Sequence, residues 1–156
     1  MAENQVLVIG VGNRYRGDDA VGLAVAERLK GLQLPDVAVK LCPRGGLSLL
    51  DTWQGAESVM IVDALRSNGV AGSTVRVDQE DLDRLAGIGT VSSHGIGIGE
   101  TIRLAQALGS LPAKLIIYGI EAHHFEPGSV MSPEVVAAVD RVVQLIAQEL
   151  KCTSLA

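Results

Sequence analysis

An unbroken apolar run, Val6-Leu7-Val8-Ile9, leads into Gly10-Val11-Gly12-Asn13-Arg14-Tyr15-Arg16-Gly17-Asp18-Asp19 and then into a helical pattern reaching Val25. A strand without polar alternation must be covered on both faces, and one that passes through glycine straight into a helix is how a doubly wound α/β domain opens. Ligands of such domains lie at the carboxyl ends of the strands, so the loop after Ile9 is expected to face one. Its charge narrows the choice. Gly12 to Gly17 has the spacing of a phosphate loop, but Asp18-Asp19 stand where Lys and Ser or Thr are needed, and two carboxylates repel phosphate. The dinucleotide fingerprint fails as well, because the third glycine falls on Tyr15. An acidic loop at a strand end suits a cation, unless Asp18 or Asp19 only caps the first helix and complements its dipole.

The 156 residues are read as a single domain, 1–156, long enough to bury a core. Hydrophobic residues make up 47% and aromatics only 3%, so that core must be built from Val, Leu, Ile and Ala, as in parallel sheets covered by helices. A net charge of -5 with no basic cluster argues against nucleic acid as a partner. Cys42 and Cys152 have neither metal nor disulfide spacing, in keeping with a reducing cytoplasm. No signal peptide and no apolar run of membrane-spanning length is present, so the expectation is a cytoplasmic protein without membrane insertion.

Helix 1 carries its stripe on Val21, Val25 and Leu29 and ends near Gly31. Val37 to Leu41 reads as the second strand, followed by Pro43-Arg44-Gly45-Gly46 and a short helix from Leu47 to Trp53. Ser58 to Val62 is a third strand ending at Asp63; Thr74 to Val77 is a more polar fourth, with a helical turn over Gln79 to Leu85. A glycine-rich loop from Gly87 to Gly99 contains Ser92-Ser93-His94-Gly95, and a helix follows from about Glu100 to Leu108, stopped by Gly109. Leu115 to Ile120 is the last strand. The final helix has Ser132 as N-cap, Pro133 at its first position and a stripe on Val135, Val139, Val142, Ile146 and Leu150. Strands alternating with helices imply an α/β fold, a largely parallel sheet with helices on both faces.

Asp19, Asp63 and His94 all lie where apolar strands end or loops begin. If the first and third strands are neighbours, the three can converge as a mixed oxygen and nitrogen donor set suited to zinc, nickel or manganese. Three protein ligands leave coordination positions open for water or for a group from a partner. His123 and His124 are adjacent, so at most one could join, and the pair is read as surface loop. Ser92 and Ser93 adjoin His94 but sit in no nucleophile elbow, and nothing marks Cys42 as an activated thiol.

At these residues the chain resembles the nickel-iron hydrogenase maturation proteases. Gly10-Val11-Gly12-Asn13 with Gly17-Asp18-Asp19-Ala20-Val21-Gly22 is similar to the family's opening signature, Ile61-Val62-Asp63-Ala64 to its second acidic position, and Ser93-His94 to its histidine. Tyr118-Gly119-Ile120-Glu121 and Met131-Ser132-Pro133 resemble its closing strand and the start of its last helix. The resemblance implies a three-layer α/β/α sandwich with a twisted, mainly parallel five-stranded sheet. It also implies an endopeptidase that removes the C-terminal extension of a nickel-iron hydrogenase large-subunit precursor after nickel insertion. Asp19, Asp63 and His94 would contact nickel carried by that precursor, with Asp19 or Asp63 as base and no organic cofactor.

The chain departs from the family pattern after the second strand, where Asp-Gly-Gly-Thr is common and Leu41-Cys42-Pro43-Arg44-Gly45-Gly46 stands here. With Asn13, this stretch, through Arg44, Gly45 and Gly46, is the expected substrate-binding element. Two other classes remain open on sequence: a nucleotide-binding α/β enzyme using the Gly10 to Gly17 loop, which Asp18-Asp19 argue against, and a module that docks on a metalloprotein precursor without cutting it.

Overall fold

The computed structural model describes residues 5–87 and 97–154. Strands β1 (Val6–Val11), β2 (Val37–Cys42), β3 (Ser58–Leu65), β4 (Thr74–Asp78) and β5 (Lys114–Glu121) form one sheet in the order β2-β1-β3-β5-β4. All pairings are parallel except β4 with β5. The helices are α1 (Val21–Gly31), α2 (Ser48–Thr52), α3 (Ile98–Leu108) and α4 (Pro133–Ser154), with 3-10 turns over Gly17–Ala20 and Gln79–Gly87. Gly109 closes α3 in the left-handed conformation, with φ 66°, as its sequence position predicts.

Side chains alternate across the strands and define two apolar layers. Leu7, Ile9, Val59, Ile61 and Ile117 pack with Leu49, Ile98 and Ile102 on the α2/α3 side. Val8, Met60, Val62 and Ile120 pack with Val21, Val25, Leu29 and the α4 stripe Val135, Val139, Val142, Ile146 and Leu150 on the other. This is the expected α/β/α sandwich, and the predicted stripes of both long helices are the faces that are buried.

The ends of several elements differ from the sequence reading in one direction: β1, β3 and β5 run further than their apolar cores. Asp63, expected just after the third strand, lies inside β3 opposite Gly119 of β5. The pairing of β3 with β1 stops at Val62 and Gly10, whereas its pairing with β5 continues to Leu65 and Glu121. Hydrogen bonding to a neighbouring strand, rather than hydrophobicity, decides where a strand ends.

The seating of α1 is set by backbone contact. A Cβ on Gly22 would stand 2.3 Å from the carbonyl oxygens of both Val11 and Val62, and one on Gly10 would stand 2.4 Å from the Gly22 carbonyl. Only α-carbons without a Cβ permit this approach of α1 to β1 and β3. In an open helix, Gly→Ala would gain roughly 1 kcal/mol of propensity. Here the obstacle is rigid backbone, so Gly22→Ala is expected to destabilise by about 2–3 kcal/mol, measured by urea unfolding.

Candidate functional site

The chain leaves β1 towards β2 on one side and returns to β3 on the other, so a crevice opens at the carboxyl ends of β1 and β3. Four chain segments meet there: the β1–α1 loop, the β2–α2 loop, the end of β3 and the β5–α4 loop. The two aspartates of the first loop have different surroundings.

Asp18 is fully buried. Its carboxylate accepts the backbone N–H groups of His123 (3.3 Å), His124 (3.1 Å) and Ser132 (2.7 Å), and the Ser132 hydroxyl lies 2.9 and 3.0 Å from its two oxygens. Asp18 N–H in turn donates to the His124 carbonyl at 2.8 Å. Asp18 therefore does not cap α1; it ties the β1–α1 loop to the β5–α4 loop. Ser132 does stand immediately before α4 as expected, but its hydroxyl is turned to Asp18. Burial pushes the Asp18 carboxyl up, and the Ser132 and His124 N–H groups, the Ser132 hydroxyl and the His123 N–H together bring it below the ordinary aspartate value.

Asp19 and Asp63 are also buried, and among the described residues they are the two predicted metal contacts. Burial drives the Asp63 carboxyl well above its ordinary value, the charge of Asp19 pushes it further, and the Ala64 N–H, 2.8 Å from Oδ1, pulls back only in part. The strand thus holds a carboxyl that resists ionising beside a second carboxyl, an arrangement that a cation or a shared proton relieves. The sequence reading put Asp63 on a rim; burial within β3 is what gives it this character. His94 lies outside the described residues. Among those described, no group of three His, Cys, Asp or Glu side chains is placed to hold a metal ion.

Sequence reasoning did not assign a role to Glu121. At the end of β5 it accepts the Ser67 N–H (2.9 Å) and hydroxyl (2.7 Å), and its Oε1 lies 3.1 Å from His123 Nε2. Burial raises its carboxyl, but the Ser67 hydroxyl and N–H and the His123 ring bring it below the usual range. A carboxylate closing an apolar strand was the signal that singled out Asp63, and Glu121 carries the same signal. His123 and His124 are exposed loop residues, as expected. Cys42 is buried, with Sγ 3.4 Å from Ser48 Oγ.

All four predicted substrate-binding residues, Asn13, Arg44, Gly45 and Gly46, line one open cleft of about 880 Å³ between the β1–α1 and β2–α2 loops. The Asn13 N–H donates to the Asp19 carbonyl at 3.1 Å, so the cleft wall and the carboxylate pair share one loop.

Two stability measurements follow, with opposite signs. The folded pKa of Asp18 is depressed, so its stabilisation is present above the unfolded value of 3.8 and disappears as pH falls through the lower folded value. Asp18→Asn is expected to lose about 2–3 kcal/mol at neutral pH, a gap that closes in acid unfolding titrations. The folded pKa of Asp63 is raised, so its stabilisation is present below 3.8 and is lost as pH rises towards the folded value. Asp63→Asn, which mimics the protonated acid, should gain in Tm relative to the wild type as pH rises through that window.

Comparison with known proteins identifies the family. The family described as hydrogenase maturation protease (HycI) matches residues 23–149. Hydrogenase expression/formation protein HupD of Rhodobacter capsulatus is 27% identical over 150 residues, 94% of this chain and 71% of that protein. The hydrogenase maturating endopeptidase HybD from E. coli shares the fold with a TM-score of 0.79 at 23% identity, covering 94% of this chain and 92% of that one. The [NiFe] hydrogenase maturation protease HybD from Thermococcus kodakarensis gives a TM-score of 0.73 at 27% identity, covering 94% and 98%. A family match over most of the chain, together with a shared fold, leads to one conclusion: the chain belongs to the hydrogenase maturation protease family and is a peptidase.

Proposed function

We propose that this peptidase removes the C-terminal extension of a nickel-iron hydrogenase large-subunit precursor, and that it recognises precursor already loaded with nickel. The observation that carries this reading is the buried Asp63 beside Asp19 at the carboxyl end of the central strands, a pair that gains from a cation delivered to it. Asp19, Asp63 and His94 approach the precursor's metal from the protease side, and the donor set of carboxylates with an imidazole suits nickel. His94 precedes α3, which packs on the same face of the sheet as Val59 and Ile61, neighbours of Asp63 at the spacing of one strand face.

The precursor's metal polarises the scissile carbonyl or a water beside it. The chain's own residues orient the segment and handle the proton. Burial and the Asp19 charge raise the Asp63 pKa, which makes it a stronger base than an ordinary aspartate and favours it for accepting a proton from the attacking water, with Asp19 holding the geometry. The cleft that Asn13 and Arg44 line lies next to this pair and receives the chain adjoining the cleaved bond.

Intact-mass spectrometry of precursor incubated with the protein tests the proposal. Nickel-loaded precursor is expected to lose its extension, and nickel-free precursor to stay whole. Inhibitors of serine and cysteine proteases should have no effect. Asp63→Asn and His94→Ala should abolish trimming while the protein stays folded, and Asp19→Ala should weaken it. Equal trimming of nickel-free precursor would remove the nickel requirement, and full activity of both Asp63→Asn and His94→Ala would remove the site assignment.

A further inference from the structure

The 880 Å³ cleft has a composition unlike the rest of the surface. The chain carries 18 acidic residues against 13 basic ones, yet among the described residues no acidic one lines this cleft and two arginines do. Arg14 is already engaged in an ion pair with Glu27. Arg44 is exposed and makes no hydrogen bond or ion pair among the described residues. Around it the rim is apolar: Tyr15 is 76% exposed, Leu47 52% and Leu41 37%. The backbone beneath Arg44 has a defined shape, since Gly45 and Gly46 both take left-handed conformations, with φ 57° and 56°, and Ser48 donates its hydroxyl to the Gly45 carbonyl.

We infer that this cleft selects an extended partner segment that pairs apolar side chains with a carboxylate, the carboxylate being received by Arg44. The inference rests on the proposed peptidase reading for the identity of that partner, the precursor, and adds to it the chemistry of the segment bound beside the cleavage site. An unpaired guanidinium presents a planar fork of donors that matches a carboxylate on two points. With no acidic side chain among the described lining residues, an incoming carboxylate meets no like charge from them, while the net negative charge elsewhere disfavours acidic segments at other places. Tyr15, Leu41 and Leu47 supply the apolar contact area that a guanidinium alone lacks. Because Asn13 belongs both to this wall and to the loop holding Asp19, a segment anchored on Arg44 is held next to the carboxylate pair.

Fluorescence anisotropy with short labelled peptides tests this on the full chain. The probes alternate Leu and Ala with either Asp, Asn or Lys. The Asp peptide is expected to bind the wild type about fivefold more tightly than the Asn peptide, with the Lys peptide weakest, and the difference should shrink as salt is raised. Arg44→Ala should abolish the preference, and Arg44→Glu should reverse it in favour of Lys, with Tm unchanged in both. Equal binding of the Asp and Asn peptides, no binding of either, or a preference that survives Arg44→Ala would each overturn the inference. So would a concentration-dependent dimer broken by Arg44→Glu, which would make a second copy the occupant. In the trimming assay Arg44→Glu should raise KM about fivefold with kcat unchanged; an unchanged KM overturns the inference and leaves the peptidase reading intact. If the wild type trims no precursor, that reading fails instead, and the peptide preference still decides the role of Arg44.

Discussion

The close approach of α1 to the two central strands is the constraint on which the rest depends. Gly22 rests on the carbonyls of Val11 and Val62 at a distance that no side chain tolerates. Because α1 is seated so low, the 3-10 turn before it, Gly17–Ala20, falls over the carboxyl ends of β1 and β3. Asp18 and Asp19 thereby come to the crevice at the topological switch, where Asp63 already lies in β3. A helix held further out by an alanine would carry both aspartates away from the strand that holds the third carboxyl.

Two neighbouring residues of the same chemistry then take opposite parts. Asp18 meets three N–H groups and a hydroxyl, enough to outweigh burial and keep it ionised. Its charge is spent on holding the β5–α4 loop against the β1–α1 loop, a connection reinforced by Arg16, whose Nε donates to the Phe125 carbonyl at 3.0 Å. Asp19, one position on, faces Asp63, which is buried and has one N–H partner of its own. The first carboxylate is held ionised by the fold, whereas burial and the charge of Asp19 keep the Asp63 carboxyl from ionising readily. Carboxyls perturbed in this way by burial and a neighbouring charge cluster at functional sites.

Glu121 plays for the far side of the crevice the part that Asp18 plays for the near side. It fastens Ser67 in the β3–β4 connection, and the Gly72 N–H donates to its carbonyl at 2.8 Å. The carboxylate pair is therefore flanked by loops tied to strand ends, while the cleft between the β1–α1 and β2–α2 loops remains open to a partner. Rigid support beside an open groove is what a peptidase needs to hold a bond in register with its reacting groups.

The α/β class, the helix stripes and the order of elements were legible in the sequence, because the burial of an apolar face imposes a period of about 3.6 on helices and continuous hydrophobicity on covered strands. So was the grouping of Asn13, Arg44, Gly45 and Gly46, since residues after parallel strands emerge at the same edge of the sheet. The ends of β1, β3 and β5 were not legible: a strand continues as long as its neighbour supplies hydrogen bonds, and periodicity carries no record of the neighbour. For that reason Asp63 looked like a loop residue. The sequence picked Asp19 for the site but left Asp18 no role beyond a possible helix cap. The part Asp18 plays was hidden because its partners, the N–H groups of His123, His124 and Ser132, lie more than a hundred residues away and reach it only in the fold. Local pattern determined which elements form; long-range packing alone decided that Asp18 ties two loops together while Asp63 is buried beside Asp19 and resists ionising.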